Sequence, residues 1–65
     1  MKHEIMIRIL FILLARNKVS ASEIATRFEI SRRTVYRYID TLCLANVPIL
    51  VDRGANGGFY IADSY

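Results

Sequence analysis

The spacing of the apolar residues changes once along this chain, at Pro48. Before Pro48, apolar residues spaced three or four positions apart indicate helices. After it they form two short β-prone runs, residues 49–51 and 59–61, and the Gly and Asn residues of the intervening stretch 52–58 indicate a hairpin turn. At 65 residues the chain has room for one domain. The sequence therefore predicts an α+β fold over residues 1–65, with three helices followed by a two-stranded β-hairpin.

Serine residues mark the starts of the second and third helices. The predicted helices are residues 4–15, residues 21–28, and a third that follows Ser31 and runs to Ala45. Ser20 is an N-cap candidate, and Glu23, three residues later, completes the spacing of a capping box. Ser31 is the corresponding N-cap of the third helix. Residues 29–30 are then left as a tight turn between two short helices.

The second and third helices are predicted to be amphipathic. Their inward-facing residues are Ile24, Ala25 and Phe28 on the second helix, and Val35, Ile39 and Leu42, with Tyr38 beside them, on the third. The opposite face of the third helix carries Arg32, Arg33, Tyr36, Arg37 and Asp40. Residues 27–37 hold four arginines and one acid, and the chain carries a formal charge of +3. This balance favours a polyanionic partner.

The first helix is apolar on nearly all sides. One helical stripe contains Ile5, Ile9, Ile12 and Leu13, and the other faces carry Met6, Ile7, Leu10, Phe11 and Leu14. A helix in so small a domain buries only one side against its own core. Its second face is therefore predicted to meet another protein surface, either a second copy in a homodimer or a missing C-terminal effector domain.

Several functional classes are disfavoured. The single cysteine, Cys43, permits no intramolecular disulfide, fits a reducing compartment and is expected in or beside the core. His3 is the chain's one histidine, so no metal or other cofactor is predicted. The apolar run 9–15 is too short for a transmembrane helix and at the lower limit for a signal peptide. No nucleophile and base have a catalytic spacing, so the chain is not expected to be an enzyme.

Two short helices joined by a tight turn, the second of them basic at its start, are typical of a helix-turn-helix, whose second helix enters the DNA major groove. The groove-facing residues are predicted to be Arg33, Tyr36 and Arg37, with Arg32 adding charge and with Ser31 and Thr34 on backbone phosphates. Arginine can bond guanine O6 and N7, but the spacing does not select which arginine does so. The alternatives are a solvated basic face and a Tyr36 that packs against the hairpin.

The hairpin connection also has two interpretations. As a plain turn it needs only residues that accept positive φ, which Gly and Asn do. As a wing it brings Arg53, Asn56 and Gly57 to a phosphate or into the minor groove, whose negative potential favours an inserted arginine. The preceding helices favour the wing, and hence a winged helix-turn-helix.

These features together resemble the N-terminal winged helix-turn-helix of bacterial WYL-domain transcriptional regulators. The resemblance covers nearly the whole chain and is carried by residues 31–37, Ile39, Leu42, residues 47–49, Arg53, Gly54, and the run Gly57, Gly58, Phe59. The DNA-binding domain of the biotin repressor is a more distant relative. Family members often have Asp directly after the arginine that corresponds to Arg37, whereas this chain has Tyr38.

The resemblance implies a cytoplasmic transcription factor that acts on the nucleoid as a dimer and has a C-terminal ligand-sensing domain. We therefore expect sequence-specific binding of double-stranded DNA for transcription regulation. The alternative is a protein-interaction module, because a winged helix can also dock partner proteins.

Overall fold

The computed structural model describes residues 2–54 and 57–62. Its elements in chain order are α1 (Lys2–Ala15), α2 (Ala21–Phe28), α3 (Arg32–Leu44), β1 (Ile49–Asp52) and β2 (Gly58–Ile61). The two strands are antiparallel, with Ile49 opposite Ile61 and Asp52 opposite Gly58. This confirms the predicted α+β winged-helix arrangement of three helices followed by a hairpin.

The core lies between the three helices and the hairpin. Its members are Ile9, Leu13, Val19, Ile24, Val35, Ile39, Val47, Ile49 and Phe59. The remaining residues predicted to face inward from α2 and α3, which are Ala25, Phe28, Tyr38 and Leu42, are partly buried and pack against this cluster. The apolar periodicity therefore identified the inner faces of α2 and α3 correctly.

Both predicted N-caps are confirmed. The Ser20 hydroxyl oxygen accepts the Glu23 backbone N–H at 3.0 Å, and that of Ser31 accepts the Thr34 backbone N–H at 3.0 Å. A capping box also requires the Glu23 carboxylate to accept the Ser20 backbone N–H, and this part of the prediction is wrong. The Glu23 carboxylate instead pairs with the guanidinium of Arg16, just beyond α1. This hydrogen bond from Arg16 lowers the pKa of Glu23.

The ends of α2 and α3 share one backbone arrangement. Glu29 after α2 and Asn46 after α3 are left-handed, with φ of 56° and 70°. Paired backbone bonds close each end: Ile30 N–H to Ala25 O (3.0 Å) and Glu29 N–H to Thr26 O (3.4 Å), then Val47 N–H to Leu42 O (3.1 Å) and Asn46 N–H to Cys43 O (3.0 Å). These are Schellman motifs. The left-handed Asn46, two residues before Pro48, therefore marks the end of α3. At the other end of α3, residues 29–31 form the turn that joins it to α2.

The described glycines of the hairpin do not have the positive φ that the plain-turn interpretation assigned to Gly and Asn. None of Gly54, Gly57 and Gly58 has positive φ. Two of them instead allow close approach: a Cβ on Gly58 would lie 2.7 Å from the carbonyl oxygen of Val19, and one on Gly57 would overlap that of Asp52. These positions need glycine because another backbone occupies the space of a side chain.

A backbone pairing that the sequence did not predict joins the α1–α2 loop to the hairpin. The Phe59 N–H donates to the Val19 carbonyl at 2.8 Å, and the Val19 N–H donates to the Phe59 carbonyl at 3.0 Å. Val19 thereby extends the sheet on the side of β2 that faces away from β1. The loop after α1 and the hairpin are tied together through β2.

Helix α1 has the second apolar face that was predicted. Met6, Ile9 and Leu13 are buried, whereas Ile7, Phe11 and Leu14 are 53%, 64% and 54% exposed. The exposed residues are spaced by four and three positions, so they form one stripe along the helix. Among the described residues, no helix is long and apolar enough to cross a membrane.

Cys43 does not lie in the core. It is exposed near the end of α3, and its thiol lies 3.9 Å from the carbonyl oxygen of Ile49 in β1. Of the two expected positions, the core is therefore wrong, because the neighbouring Leu42 occupies the inner face of the last turn, whereas the contact with Ile49 fits a position beside the core.

Candidate nucleic-acid interface

The outer face of α3 is basic and exposed. Arg33, Tyr36 and Arg37 lie opposite the buried Val35 and Ile39, and all three are exposed. Spacings of three and four place them on one side of the helix. Within residues 2–54 and 57–62, neither Arg33 nor Arg37 has a carboxylate partner. Both guanidinium groups are therefore available to an external anion.

Arg32 points toward α2. Its Nη1 donates a hydrogen bond to the Ser22 hydroxyl oxygen at 3.5 Å, which is the outer limit for such a bond. Arg32 and Ser22 line one wall of a groove of about 400 Å³, together with Ser20 and Ala21. The start of α2 was not among the site residues predicted from the sequence. Its signal was the Ser20 N-cap, which marks a helix end with free backbone N–H groups.

Ser31 and Thr34 interact with each other at the start of α3. The Ser31 hydroxyl accepts the Thr34 backbone N–H and donates its own proton to the Thr34 hydroxyl oxygen at 2.9 Å. The hydroxyl proton of Ser31 is therefore used within the cap. The Thr34 hydroxyl still has a proton to donate, so Thr34 is the better suited of the two to contact a phosphate.

Tyr36 packs against the hairpin and remains half exposed. Its ring meets the Phe59 ring edge-on, with centroids 5.5 Å apart and planes at 74°. At the same time 51% of Tyr36 is accessible. The packing alternative raised by the sequence is thus observed, and it leaves part of the ring and the side chain free to contact a ligand.

The loop between β1 and β2 lies beside α3. Arg53 is exposed and borders two grooves, the one that Arg32 lines and a second, of about 380 Å³, that Tyr36 and Asp40 line. Gly57 borders the first groove. Asn56, also predicted as a site residue, lies outside the described residues. The structure thus brings Arg32, Tyr36, Arg53 and Gly57 around one groove, whereas Arg33 and Arg37 are not among its lining residues.

Asp52 holds the base of this loop. One of its carboxylate oxygens accepts a bond from Lys18 Nζ at 2.7 Å, and the other accepts the Gly54 backbone N–H at 2.9 Å. The bond from Lys18, followed by that from Gly54, lowers the pKa of Asp52. Lys18 and Asp52 are 34 positions apart. No local sequence pattern could have paired them.

The basic stretch of the sequence divides between two surfaces. Arg27, at the end of α2, lies away from the α3 arginines. It borders a shallow groove of about 320 Å³ together with Arg8, Phe11, Ile12 and Phe28. This groove belongs to the α1 side of the domain, so Arg27 is not part of the α3 surface.

A three-residue turn joins α2 to α3, the free face of α3 is basic, and a hairpin packs beside it. These features define a winged helix-turn-helix domain. Residues 6–60 match the HTH domain family, and the chain belongs to that family.

The chain is also similar to a longer protein. Over all 65 of its residues it is 38% identical to an uncharacterized HTH-type transcriptional regulator of Bacillus subtilis (strain 168), YobV. It spans 21% of the length of that curated relative. No solved structure shows a significant match to this chain.

Proposed function

We propose that this domain binds double-stranded DNA sequence-specifically to regulate transcription. In this proposal α3 enters the major groove, and the wing, which is the hairpin of residues 49–61, contacts the backbone or the minor groove. The observation that carries it is the exposed face of Arg33, Tyr36 and Arg37 beside the wing. The name of the longer relative, a transcriptional regulator, supports the same function.

The geometry suggests a division of roles. Arg33 and Arg37 project from the outer face of α3 without carboxylate partners in the described part of the chain, so they suit bidentate contacts to guanine edges. A second set of residues suits phosphate contacts: Arg32, Thr34, Arg53 and Gly57, with Ser31 and Asn56 included on sequence grounds. Such contacts fix the register of the protein on the duplex, whereas base contacts select the sequence.

The proposal is tested by measuring duplex affinity against salt concentration. The probe is a fluorescent duplex selected from random sequences by the domain itself, with a scrambled duplex as control. If Arg32 and Arg53 each neutralise one phosphate, log K should fall against log salt with a slope of about −1.8, at about −0.9 per phosphate. Failure to bind any duplex at low salt would contradict DNA binding. Equal affinity for the scrambled duplex would contradict sequence specificity.

We also propose that residues 1–65 form the N-terminal DNA-binding domain of a longer, WYL-type regulator that acts in the cytoplasm at the nucleoid. The resemblance of residues 31–37 and of the Gly57-Gly58-Phe59 run supports the family, and the greater length of the relative supports a longer protein. Ligand sensing would then belong to a domain outside this chain.

A protein-contact role for α1 is favoured by its exposed stripe of Ile7, Phe11 and Leu14. The candidate occupants are a second copy of this domain and an effector domain of the longer regulator. Sedimentation of the domain at increasing concentration separates them. A dimer that Phe11→Glu abolishes would assign the stripe to a second copy, whereas a monomer at every concentration would contradict that occupant.

A further inference from the structure

Arg53 follows Asp52, which is held in place through both its side chain and its backbone. The Asp52 carboxylate binds Lys18 Nζ and the Gly54 N–H, at 2.7 and 2.9 Å. Its backbone lies opposite Gly58 in the ladder, and its carbonyl oxygen occupies the space that a Gly57 side chain would need. The direction in which the wing loop leaves β1, and with it the start of the Arg53 side chain, is therefore set at Asp52.

The other half of the ion pair is equally well fixed. Lys18 precedes Val19, whose backbone is bonded twice to Phe59 in β2 and whose side chain is buried. The Lys18 ammonium is thus presented from a segment tied to the sheet. The ion pair joins two anchored segments that are 34 positions apart in the sequence.

Stability does not account for this ion pair. The Lys18 and Asp52 side chains are 33% and 42% exposed, and pairs with this exposure contribute little to folding. Asp52 also lines the groove that contains Arg32 and Arg53. There its negative charge repels a phosphate, so on charge alone Asp52 disfavours DNA binding.

We propose that Asp52 is a positioning residue: paired with Lys18, it directs Arg53 of the wing at a backbone phosphate. This inference rests on the proposed DNA-binding function and deepens it. The gain from a correctly placed arginine outweighs the repulsion from the carboxylate beside it. Lys18, which no sequence pattern places near the wing, contributes to the same positioning of Arg53.

The Asp52→Asn variant separates positioning from charge. The amide keeps the shape and an acceptor for Gly54 but cannot pair ionically with Lys18. The substitution raises the formal charge from +3 to +4, so charge alone predicts tighter binding. Positioning predicts the opposite sign, a loss of about tenfold, comparable to that of Arg53→Ala. The log–log salt slope should also become shallower by about 0.9, for one lost phosphate contact.

A double-mutant cycle identifies the route of the effect. In an Arg53→Ala background, Asp52→Asn should not weaken binding of the duplex any further, because Arg53, the residue that Asp52 positions, is absent. Asp40→Asn is the matched control, since it makes the same charge change at an exposed position on α3 that lines one groove together with Arg53. That variant should bind at least as tightly as the wild type. Lys18→Met should weaken binding in the wild type but not in the Arg53→Ala background. It also lowers the formal charge from +3 to +2, so only the difference between the two backgrounds tests positioning, and on that basis it replaces Asp52→Asn if that variant fails to fold.

The outcomes are distinct. Asp52→Asn binding as tightly as the wild type or more tightly would overturn the positioning role. An equal loss in the Arg53→Ala background would show that the effect does not pass through Arg53, and would also overturn it. Failure of the wild-type domain to bind duplex DNA is a different result, which contradicts the proposed function itself.

Discussion

The Gly58→Ala variant is expected to lose about 2–4 kcal/mol of its free energy of unfolding, enough to leave much of a domain this small unfolded. A Cβ at this position would lie 2.7 Å from the carbonyl oxygen and 2.8 Å from the carbonyl carbon of Val19. Both are backbone atoms that cannot rotate away. Relief requires opening the Val19–Phe59 pairing, which loses two backbone hydrogen bonds and disturbs two buried side chains.

Gly54→Ala is the matched control for that substitution. Its Cβ would lie 3.3 Å from a carboxylate oxygen of Asp52, a side-chain atom that needs to move by only a few tenths of an ångström to relieve the contact. Urea unfolding followed by circular dichroism measures both variants. A Gly58→Ala midpoint indistinguishable from that of Gly54→Ala would show that the α1–α2 loop is not held by β2 as the structure has it.

The double substitution Arg33→Ala, Arg37→Ala is expected to reduce affinity for the selected duplex by about 100-fold or more and to leave unfolding nearly unchanged. A bidentate arginine–guanine contact is worth roughly 1–3 kcal/mol, and about 1.4 kcal/mol corresponds to a tenfold change. Both residues are exposed and outside the core, so their removal creates no cavity. Fluorescence anisotropy with the selected duplex measures the loss.

The α1 side of the domain supplies a control with the same change in charge. Arg8→Ala with Arg27→Ala also lowers the formal charge from +3 to +1, but both residues border the groove that contains Phe11 and Phe28. This control should lose only the small affinity due to net charge. Equal losses for the two pairs would mean that binding follows total charge. If the Arg33, Arg37 variant still protected the same DNA sites, α3 would not be the recognition helix.

The parts of the fold that the sequence predicted correctly depend on local signals. Ser20 and Ser31 each lie three positions before the backbone N–H that they accept, and the periodicity of Ile24, Val35 and Ile39 marks the inner faces. The spacing of Arg33, Tyr36 and Arg37 likewise predicted a shared exposed face. Each of these features is decided within one or two helical turns.

The features that the sequence missed depend on tertiary contacts or on an atypical residue. The Val19–Phe59 and Lys18–Asp52 pairs join distant positions, and no period or motif connects them. Glu29 is left-handed at a position where glycine or asparagine is usual, so its residue type gave no signal.

The sequence also could not predict which surface of the domain each arginine side chain joins. The close approach of the start of α2 brings Ser22 within reach of Arg32. Arg27, one helix earlier, lies beside α1, although in sequence it is only five positions from Arg32. Helix packing thus decides which surface each charge joins, and a single sequence reveals only that the charges are present.

Phe59 has a consequence for genetic experiments on this domain. Its ring is buried and touches Tyr36 at the edge of the α3 surface, and its backbone holds Val19. A single substitution of Phe59 therefore disturbs the core and both parts of the proposed DNA-contacting surface, which are α3 and the wing. A random-mutagenesis screen for regulators that no longer occupy their operator will therefore return Phe59 as readily as Arg37. Measuring protein abundance in the same cells distinguishes variants that have lost a DNA contact from variants that no longer fold and accumulate.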